Sequence, residues 1–411
     1  MSEQHEHEVI VVGGGAIGSA TAWALARRGV RAVLLERFEP GHGRGASHGG
    51  GRIFRLGHPD PMHVRLAQYA QQWWDLLETE SGTSLITLNG CVDHGPVRVL
   101  RALAESLMEC DVDFEYLREP EAITRWPGMR FDDRVIVQRI AGRVDADRAV
   151  DVLQSEAVRH GADVRHHMRV VGVEPDGDGV NVHVVASGGP DDGVRLTLRA
   201  HVVVVTVGAW SQSLLADVPG VELPSMLVTR GQPAFFPVRD GVLGDGDGWP
   251  SFIHHADPVA HAEARGDFGV DAGYPAIGGY GHHVPGAGVT VGQHVPGPVV
   301  DPEARDAGAD SIGLAGLVDY VRTWFPGLDA EVPVPVPCTS ETTPDGRLIV
   351  DRVGQVVIGA GFSGHGFTFT PGIGQVLADL ATGEQPSVPG VDLSEFGLAR
   401  FAVPQGVGAG G

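Results

Sequence analysis

The stretch HEVIVVGGGAIGSATAWALARRGVRAVLLER, residues 7–37, decides the fold of this chain. It opens with a short apolar run at 9–12, which is typical of a buried parallel strand. A helical segment at 16–28 follows, and a second apolar run occupies 32–35. This order of strand, turn, helix and strand predicts a βαβ unit of the Rossmann type, and therefore an α/β fold class.

Glycines between the first strand and the helix predict a dinucleotide site. Gly13, Gly15 and Gly18 have the spacing G-x-G-x-x-G, which allows a tight turn, a close approach to a pyrophosphate, and helix–strand packing. Glu36 ends the second strand, where a carboxylate can accept hydrogen bonds from ribose hydroxyls and disfavours NADP. The alternative, purely structural glycines in a chain that has 60 of them, does not account for the complete order of elements.

Composition limits the classes of function. A chain of 411 residues predicts about two domains, and 42% hydrophobic with 20% charged residues is typical of a globular protein. The net charge of −22 argues against nucleic acid or an anionic membrane as a partner. The chain contains no lysine, so no lysine can form a Schiff base, act as a base or bind an anion.

The remaining composition signals point to a cytoplasmic enzyme. The three cysteines form no disulfide or metal pattern, and no metal site is predicted from paired histidines such as His254 with His255 or His282 with His283. There is no run of about 18 apolar residues and no signal peptide. We expect a monomer or a small homo-oligomer.

The nucleotide-binding fold is interrupted along the chain. Strand and helix patterns return after residue 144, and a last block at 336–383 holds a glycine loop, GAGFSGHGF, with a helix predicted to begin near Pro371. Such a loop can bring backbone N–H groups to the electron-rich edge of a flavin, helped by the positive helix end. A segment rich in Gly, Pro and His at 241–285 suggests a lid over the pocket.

Four blocks carry a family resemblance, namely VIVVGGGAIG, SHGGGRIFR, VVVVTVGAWS, and PCTSETTPDGRLIVD with GAGFSGHGFTF. The chain resembles the D-amino-acid-oxidase superfamily of FAD enzymes, and within it the monomeric sarcosine oxidase and N-methyltryptophan oxidase group. This implies a Rossmann-like FAD-binding domain with an α+β substrate domain built on a mixed sheet. The predicted division is 1–90, 145–220 and 336–395 for FAD, 91–144 and 221–335 for substrate, and a tail at 396–411.

The resemblance implies roles for single residues. Cys338 matches a cysteine that forms a thioether to the flavin 8α-methyl group, the alternative being a small buried residue. Arg55 matches an arginine that binds a substrate carboxylate, the alternative being a surface ion pair. His294 matches a histidine that orients the substrate, and His48 and Arg52 match residues beside the ring. The implied cofactor contacts are Gly13, Gly15, Ala16, Ile17, Gly18, Glu36, Arg37, Ser47, His48, Arg52, Ile53, Val170, Gly208, Trp210, Cys338, Gly361, Gly364, His365, Gly366, Phe367 and Thr368.

The chain also departs from the family pattern. Thr290 stands where the family has a lysine that promotes reaction with oxygen, and Thr368 stands where a second lysine pairs with the substrate carboxylate. Ala272 and Ser340 match two pocket tyrosines. These changes predict a larger pocket with one fixed cation fewer, and hence a substrate bulkier than sarcosine.

We therefore expect an FAD-dependent oxidoreductase that oxidises the C–N bond of a secondary amine or amino acid to an imine, with oxygen as acceptor. One alternative is a dehydrogenase that passes electrons to another acceptor, and a second is oxidation of a 2-hydroxy acid. A third is a flavoprotein without catalysis, because two family cations are missing.

Overall fold

The computed structural model describes residues 6–188, 191–242, 248–255, 278–294, 297–303, 311–336 and 338–402. The helices are α1 (Ala16–Arg27), α2 (Pro61–Ser81), α3 (Val97–Glu109), α4 (Glu119–Arg125), α5 (Ala146–Arg159), α6 (Ser211–Leu215), α7 (Ser311–Trp324) and α8 (Gly366–Thr382). The first strands are β1 (Glu6–Val12), β2 (Ala32–Leu35), β3 (Arg52–Phe54), β4 (Ile86–Thr87), β5 (Cys91–His94), β6 (Glu115–Arg118), β7 (Arg134–Gln138), β8 (Gly142–Val144), β9 (Asp163–Arg165), β10 (Met168–Asp176) and β11 (Gly179–Ala186). The later strands are β12 (Arg195–Val205), β13 (Leu227–Gly231), β14 (Ala234–Phe236), β15 (Ser251–His254), β16 (Gly279–Val284), β17 (Gly288–Gln293), β18 (Val334–Pro335), β19 (Cys338–Thr342), β20 (Ile349–Val353) and β21 (Val356–Ala360).

β1 lies in the middle of an eight-stranded sheet with a parallel centre. It pairs in parallel with β2 on one side and β12 on the other, while β2 pairs with β9 and β12 with β21. Antiparallel strands extend this centre, β10 and β11 beside β12 and β20 beside β21. The α/β architecture with a Rossmann-like centre is therefore confirmed.

The glycine turn after β1 has the geometry that its spacing predicts. Gly13 has a φ of 100°, and a Cβ placed there would lie 2.5 Å from the carbonyl oxygen of Thr206. A Cβ on Gly18 would lie 1.9 Å from the carbonyl oxygen of Gly13. A side chain at either position would push α1 away from the ends of β1 and β12, so these glycines fix the helix on the sheet.

Helices cover one face of this sheet. The core on that face draws on α1, α2, α5 and α8, and the indoles of Trp23 and Trp74 are fully buried in it. Each such large apolar side chain contributes about 2–3 kcal/mol on burial.

A second eight-stranded sheet, in the order β18-β14-β17-β16-β15-β5-β7-β6, forms the other half of the molecule. Its pairings are antiparallel except for the parallel pair β15–β5, so the predicted mixed sheet is confirmed. One face packs on α7, where Val289, Val291 and Phe325 share a core. Since strand residues alternate between faces, Thr290 lies on the opposite face.

Two small sheets cross the predicted domain boundaries. β8 pairs with β3 and β4, and β13 pairs with β19. The C-terminal segment also packs further than the predicted tail allows, because the Phe396 side chain is fully buried in the first core. The predicted tail therefore begins too early, since its first apolar residues are part of the fold; residues 403–411 lie outside the described part of the chain.

Helix α8 begins at Gly366, five residues before the start that Pro371 suggested. Pro371 lies inside the helix, where it lacks one backbone hydrogen bond. The helix persists because its packing is tight: a Cβ on Gly374 would lie 2.7 Å from Ala20 of α1. The correction places the positive helix end in the glycine loop itself, next to Phe367.

Candidate functional site

The N-terminus of α1 is lined by polar groups from three segments. The Ala16 N–H donates to Oγ of Ser47 over 3.0 Å, and the Gly14 N–H donates to Oε2 of Glu36 over 2.6 Å. No side chain caps the helix at Gly15, and a Cβ there would meet Ser47 Oγ at 3.1 Å. A helix end with exposed N–H groups and a glycine cradle is suited to a diphosphate.

Glu36 is buried and holds this turn together. Its Oε1 accepts a hydrogen bond from the Phe38 N–H over 2.9 Å and lies 3.4 Å from Nε2 of His42. Burial alone raises the pKa of the carboxyl, but His42 and the two backbone N–H groups outweigh it and hold the pKa below its usual value. Glu36 is therefore a carboxylate, and in this structure its oxygens already serve the protein backbone.

A second group of predicted contacts lies beyond Glu36. Arg37 forms a two-pronged ion pair with Glu303, at 2.5 and 2.8 Å, and Trp210 Nε1 donates to the same carboxylate over 2.9 Å. The start of β10 joins this region, because the Met168 N–H donates to the carbonyl oxygen of Glu36. Val170 follows Met168 by two residues on β10 and lies in the same region. Gly208 also lies there, and its φ of 54° turns the chain after β12. Glu303 is a residue that the sequence did not single out.

The long loop after β2 meets the C-terminal glycine loop. Thr368 Oγ1 donates to the carbonyl oxygen of Ile53 over 3.1 Å, and the Arg52 guanidinium lies 5.9 Å from the centre of the Phe367 ring. No side chain caps α8 at His365, so the first N–H groups of α8 are another anion-attracting end. Gly361 and Gly364 have φ values of 62° and 78° and shape the loop, which includes Gly366. His48 lies in the first loop, with its ring beside Gly43.

The second sheet presents a row of side chains toward these loops. His282 on β16 lies directly opposite Thr290 on β17, so both project from the same face. A Cβ on Gly51 would lie 2.5 Å from Nε2 of His282, which puts this face against the residue before Arg52. Burial, with the nearby arginine charges, lowers the pKa of His282 to about 3, so its ring is neutral.

Tyr280 is a second residue that the sequence did not single out. It is on the same face of β16 as His282, and its ring centre lies 5.4 Å from that of His294. Tyr280 therefore adds an aromatic side chain to the sheet face that carries His282 and Thr290. The alternation of residues 279–284 would have revealed both Tyr280 and His282. Ala272, and most of the predicted lid, lie outside the described residues.

Cys338 opens β19, where it pairs with Gly231 on β13, and a Cβ on that glycine would lie 3.1 Å from its Sγ. Ser340 projects from the same face of β19. Glu341 points to the other face, where its Oε1 accepts from the Gly361 N–H over 2.7 Å. Burial raises the pKa of Glu341 to about 7, although that hydrogen bond opposes the shift.

Arg55 lies in a buried ion pair instead of a surface one. Its Nη1 is 3.2 Å from Oδ1 of Asp93, which is fully buried on β5. Asp93, Ile253 of β15 and Tyr280 of β16 are directly opposite one another across the sheet, so they share the pocket face. His58 lies close enough to both Arg55 and His365 to interact electrostatically with them. His365 belongs to the glycine loop, so the Arg55–Asp93 pair is near that loop.

On the other face of the second sheet, two histidines share one carboxylate. Oδ2 of Asp132 lies 2.9 Å from Nδ1 of His94 and 3.3 Å from Nε2 of His254. His254 Nδ1 in turn lies 3.0 Å from the hydroxyl of Tyr320. The sequence predicted no metal site. In the structure, the ligand atoms of His94, Asp132 and His254 lie close enough together to bind one metal ion. The histidine ring nitrogens that face Asp132 and Tyr320 already have hydrogen-bond partners in the protein.

Across the described ranges, no helix combines the length and apolar character needed to cross a bilayer.

Comparison with known proteins agrees with this geometry. The family model for DAO, the FAD dependent oxidoreductases, matches residues 8–380. A monomeric sarcosine oxidase from Bacillus sp. (strain NS-129) is 28% identical, covering 96% of this chain and 97% of that protein. An N-methyl-L-tryptophan oxidase from Yersinia pestis (strain Pestoides F) is 26% identical, covering 96% and 100%.

A solved structure has the same fold. A variant of NikD, described as an unusual amino acid oxidase essential for nikkomycin biosynthesis, superposes with a TM-score of 0.77 at 24% identity, covering 95% of this chain and 97% of that one. The uncapped helix ends and glycine cradles found here fit a dinucleotide that also carries an electron-rich ring. The chain belongs to the DAO family of FAD-dependent oxidoreductases.

Proposed function

We propose that this FAD-dependent amine or amino-acid oxidase acts on a secondary amine larger than sarcosine. The single observation that carries the proposal is the close approach of the β16–β17 face to Gly50 and Gly51. This contact brings the sheet face that carries Thr290 and Tyr280 against the loop at Gly51, and the next residue, Arg52, approaches Phe367 of the glycine loop. Enclosed sites between two domains are where small substrates bind.

The reaction breaks a C–H bond next to nitrogen, and the electron pair of that bond leaves with the hydrogen. The nitrogen lone pair forms the C=N bond, a proton leaves the nitrogen, and water hydrolyses the imine to a carbonyl compound and an amine. Bound FAD supplies the two-electron acceptor. Oxygen then takes the two electrons with two protons, giving hydrogen peroxide.

The chain's own groups supply binding and orientation. The N–H groups of Ala16, Ile17 and Gly18 hold the diphosphate with Ser47, and Glu36 supports the ribose. Arg37, Val170, Gly208 and Trp210 contact the adenosine end. His48, Arg52, Ile53 and the loop 361–368 hold the ring, and the positive end of α8 favours charge that develops there. His294 and Thr368 orient the substrate, and Arg55 lies at the same site as the ion-pair partner of Asp93.

We propose further that Cys338 binds the flavin covalently through its Sγ. Cys338 would hold the group through a thioether to the 8α-methyl carbon, in which one C–S bond replaces an S–H and a C–H bond, and oxygen would take up the two electrons and two protons released. Its place at the start of β19, near enough to Tyr280 to interact with it electrostatically, supports this. We also propose a cytoplasmic monomer or small homo-oligomer. We propose that it has no nucleic acid or membrane partner, because a net charge of −22 opposes binding to polyanions.

The test is anaerobic mixing of the yellow protein with secondary amines, cyclic amino acids and 2-hydroxy acids, followed by admission of air. Bleaching by an amine with fast return of colour supports an oxidase. Bleaching that persists in air indicates a dehydrogenase with another acceptor, for which Thr290 in place of a lysine is the specific observation. No bleaching with any compound contradicts the proposed function.

A further inference from the structure

Asp93 neutralises the arginine that the sequence assigned to a substrate carboxylate. The Arg55 Nη1 lies 3.2 Å from Asp93 Oδ1 and also donates to the carbonyl oxygen of Gly57. Arg55 is 9% exposed and Asp93 is fully buried. A guanidinium and a carboxylate in contact inside the protein form a pair with no net charge, so Arg55 offers no uncompensated cation to a ligand.

Asp93 is fixed in place and cannot easily yield its position to a ligand. It belongs to β5, which pairs with β15 and β7 inside the sheet. Its Oδ2 accepts from Gln138 Nε2 over 2.8 Å, and its Oδ1 lies 2.8 Å from His255 Nε2. Gln138 Oε1 in turn accepts from the Gly57 N–H over 2.6 Å. A carboxylate ligand would therefore have to share the guanidinium with Asp93.

Hydrogen bonds to backbone carbonyl oxygens hold the neighbouring arginines in place, without cancelling their charge. The two Nη groups of Arg52 donate to the carbonyl oxygens of Gly51 and Ala46, each over 2.7 Å. Arg143 donates to the carbonyl oxygen of Gly50 over 2.9 Å. The chain has no lysine, and Thr368 stands at the second cation position of the family.

Two buried histidines near the Arg55–Asp93 pair carry no positive charge. His282 is buried among arginines, which keeps its ring neutral. His58 is buried, and burial together with the Arg55 charge lowers its pKa well below the usual value. A carboxylate in this pocket would thus meet one buried carboxylate and no additional cation from these two rings.

We propose that the substrate is an amine without a carboxylate on the carbon next to its nitrogen, and that Asp93 excludes amino acids by occupying Arg55. This rests on the proposed function and narrows its substrate class. A ligand carboxylate would place two negative groups on one guanidinium, and such a like-charge contact selects strongly against a ligand. The rest of the wall, with Tyr280 and Ile253, suits an apolar or aromatic body.

Matched ligands test this on the unmodified holoenzyme. Benzamide and benzoate differ in charge and little in shape, and binding of either is followed through the flavin absorption bands. We expect benzamide to bind at least about tenfold more tightly than benzoate. This is the smallest effect expected from a contact between two buried carboxylates. Equal or tighter binding of benzoate overturns the proposal. This measurement needs no turnover, so it decides even if the natural substrate is unknown.

A substrate pair separates this inference from the proposed function. N-methylbenzylamine and N-methylphenylglycine share a skeleton and differ by one carboxylate. We expect anaerobic bleaching by the first at a rate at least about tenfold higher. Comparable bleaching by both contradicts the substrate class but leaves the amine oxidase intact. If neither bleaches the flavin, the proposed function fails, while the benzamide and benzoate comparison still tests the role of Asp93.

Asp93→Asn tests the residue directly, since asparagine keeps the size and one acceptor oxygen but not the charge. We expect the benzoate affinity to rise about tenfold and the benzamide affinity to stay unchanged. Glu109→Gln is the matched control, because Glu109 pairs with Arg65 in an exposed position. A variant that binds flavin but leaves benzoate binding unchanged overturns the proposal. If Asp93→Asn does not hold flavin, the two ligand pairs on the unmodified enzyme decide.

Discussion

One carboxylate joins the glycine turn to the strand beside it: the Gly14 N–H lies 2.6 Å from Oε2 of Glu36. The other oxygen accepts from the Phe38 N–H over 2.9 Å. The two contacts fix the shape of the loop that would hold a diphosphate, and they do so across 22 residues of sequence. Glu36 therefore preorganises the site as well as offering a partner to a ribose.

We expect Glu36→Ala to lose FAD during expression and to lower the unfolding free energy by about 2–3 kcal/mol, because two buried N–H groups lose a charged acceptor. The measurements are the flavin-to-protein absorbance ratio and the Tm. Since the pKa of Glu36 is lowered on folding, its contribution is present above the unfolded value of 4.5 and is lost as the pH falls. Glu8→Gln, which breaks an exposed pair with Arg31, is the control. Full flavin content in Glu36→Ala would contradict this role.

Cys338→Ser tests covalent attachment. In the unmodified protein we expect the yellow colour to remain with the pellet after acid precipitation, because a thioether survives denaturation. In Cys338→Ser the colour should pass to the supernatant. Cys110→Ser, which changes a thiol on α3's C-terminal side, should behave as the unmodified protein does. Colour in the supernatant of the unmodified protein would show that the flavin is not covalently bound.

Glu341 predicts a stability that falls as the pH rises. Burial raises its pKa to about 7 in the folded state, against 4.5 for the unfolded group. The folded protein favours the protonated form, so the contribution is fully present below about pH 4.5 and is lost as the pH rises toward 7. Glu341→Gln keeps an acceptor for the Gly361 N–H and cannot ionise.

We therefore expect Glu341→Gln to raise the unfolding free energy at about pH 8 by on the order of 1–3 kcal/mol and to have little effect at about pH 5. The measurement is the Tm at both pH values. Glu384→Gln, on the surface near Arg28, is the matched control. An equal effect at the two pH values would show that Glu341 is not neutral in the folded protein.

The cluster of His94 and Asp132 predicts acid sensitivity in the opposite sense. Burial lowers the pKa of His94 to about 4, despite its contact with Asp132, against 6.5 for the unfolded side chain. The unfolded state therefore binds an extra proton between these values, and stability falls as the pH drops through that range. His94→Asn keeps a donor near the Nδ1 position and removes the titration.

We expect the slope of unfolding free energy against pH, measured by denaturant titration between about pH 4 and 6.5, to fall by up to one proton in His94→Asn. The cavity left by the smaller side chain shifts all values equally and does not change the slope. His183→Asn, on the exposed β10–β11 hairpin, serves as the control. An unchanged slope would mean that His94 is protonated in the folded protein.

The sequence predicted what depends on local pattern. The turn at Gly13, the helix α1 and the strand β2 follow from residues within one βαβ unit, and the structure confirms them. The start of α8 was wrong because the packing of Gly374 on Ala20, which are distant in sequence, outweighs the local effect of Pro371.

The residues around Arg55 were predicted less completely, because their contacts also join residues that are distant in sequence. Arg55 and Asp93 are 38 residues apart, and no local pattern indicates that they meet. His282 reaches Gly51 across more than two hundred residues, through the register of β16 with β17. Sequence motifs predict which side chains contact a common ligand. They do not predict ion pairs that neutralise the charge of those side chains, because such pairs depend on how separate segments of the chain pack.

Thr290 predicts slow reaction of the reduced enzyme with oxygen, since a cation at this position would stabilise the negative charge that forms on oxygen. We expect Thr290→Lys to increase the rate of reoxidation by at least about tenfold, measured by stopped-flow mixing of the reduced protein with aerated buffer. Thr290→Met is the matched control: it adds a chain of similar length without charge at a buried site beside His282, and should leave the rate near that of the unmodified enzyme. If methionine accelerates reoxidation as much as lysine does, the effect comes from altered packing and not from charge. If neither does, oxygen reacts elsewhere on the ring or another acceptor is used.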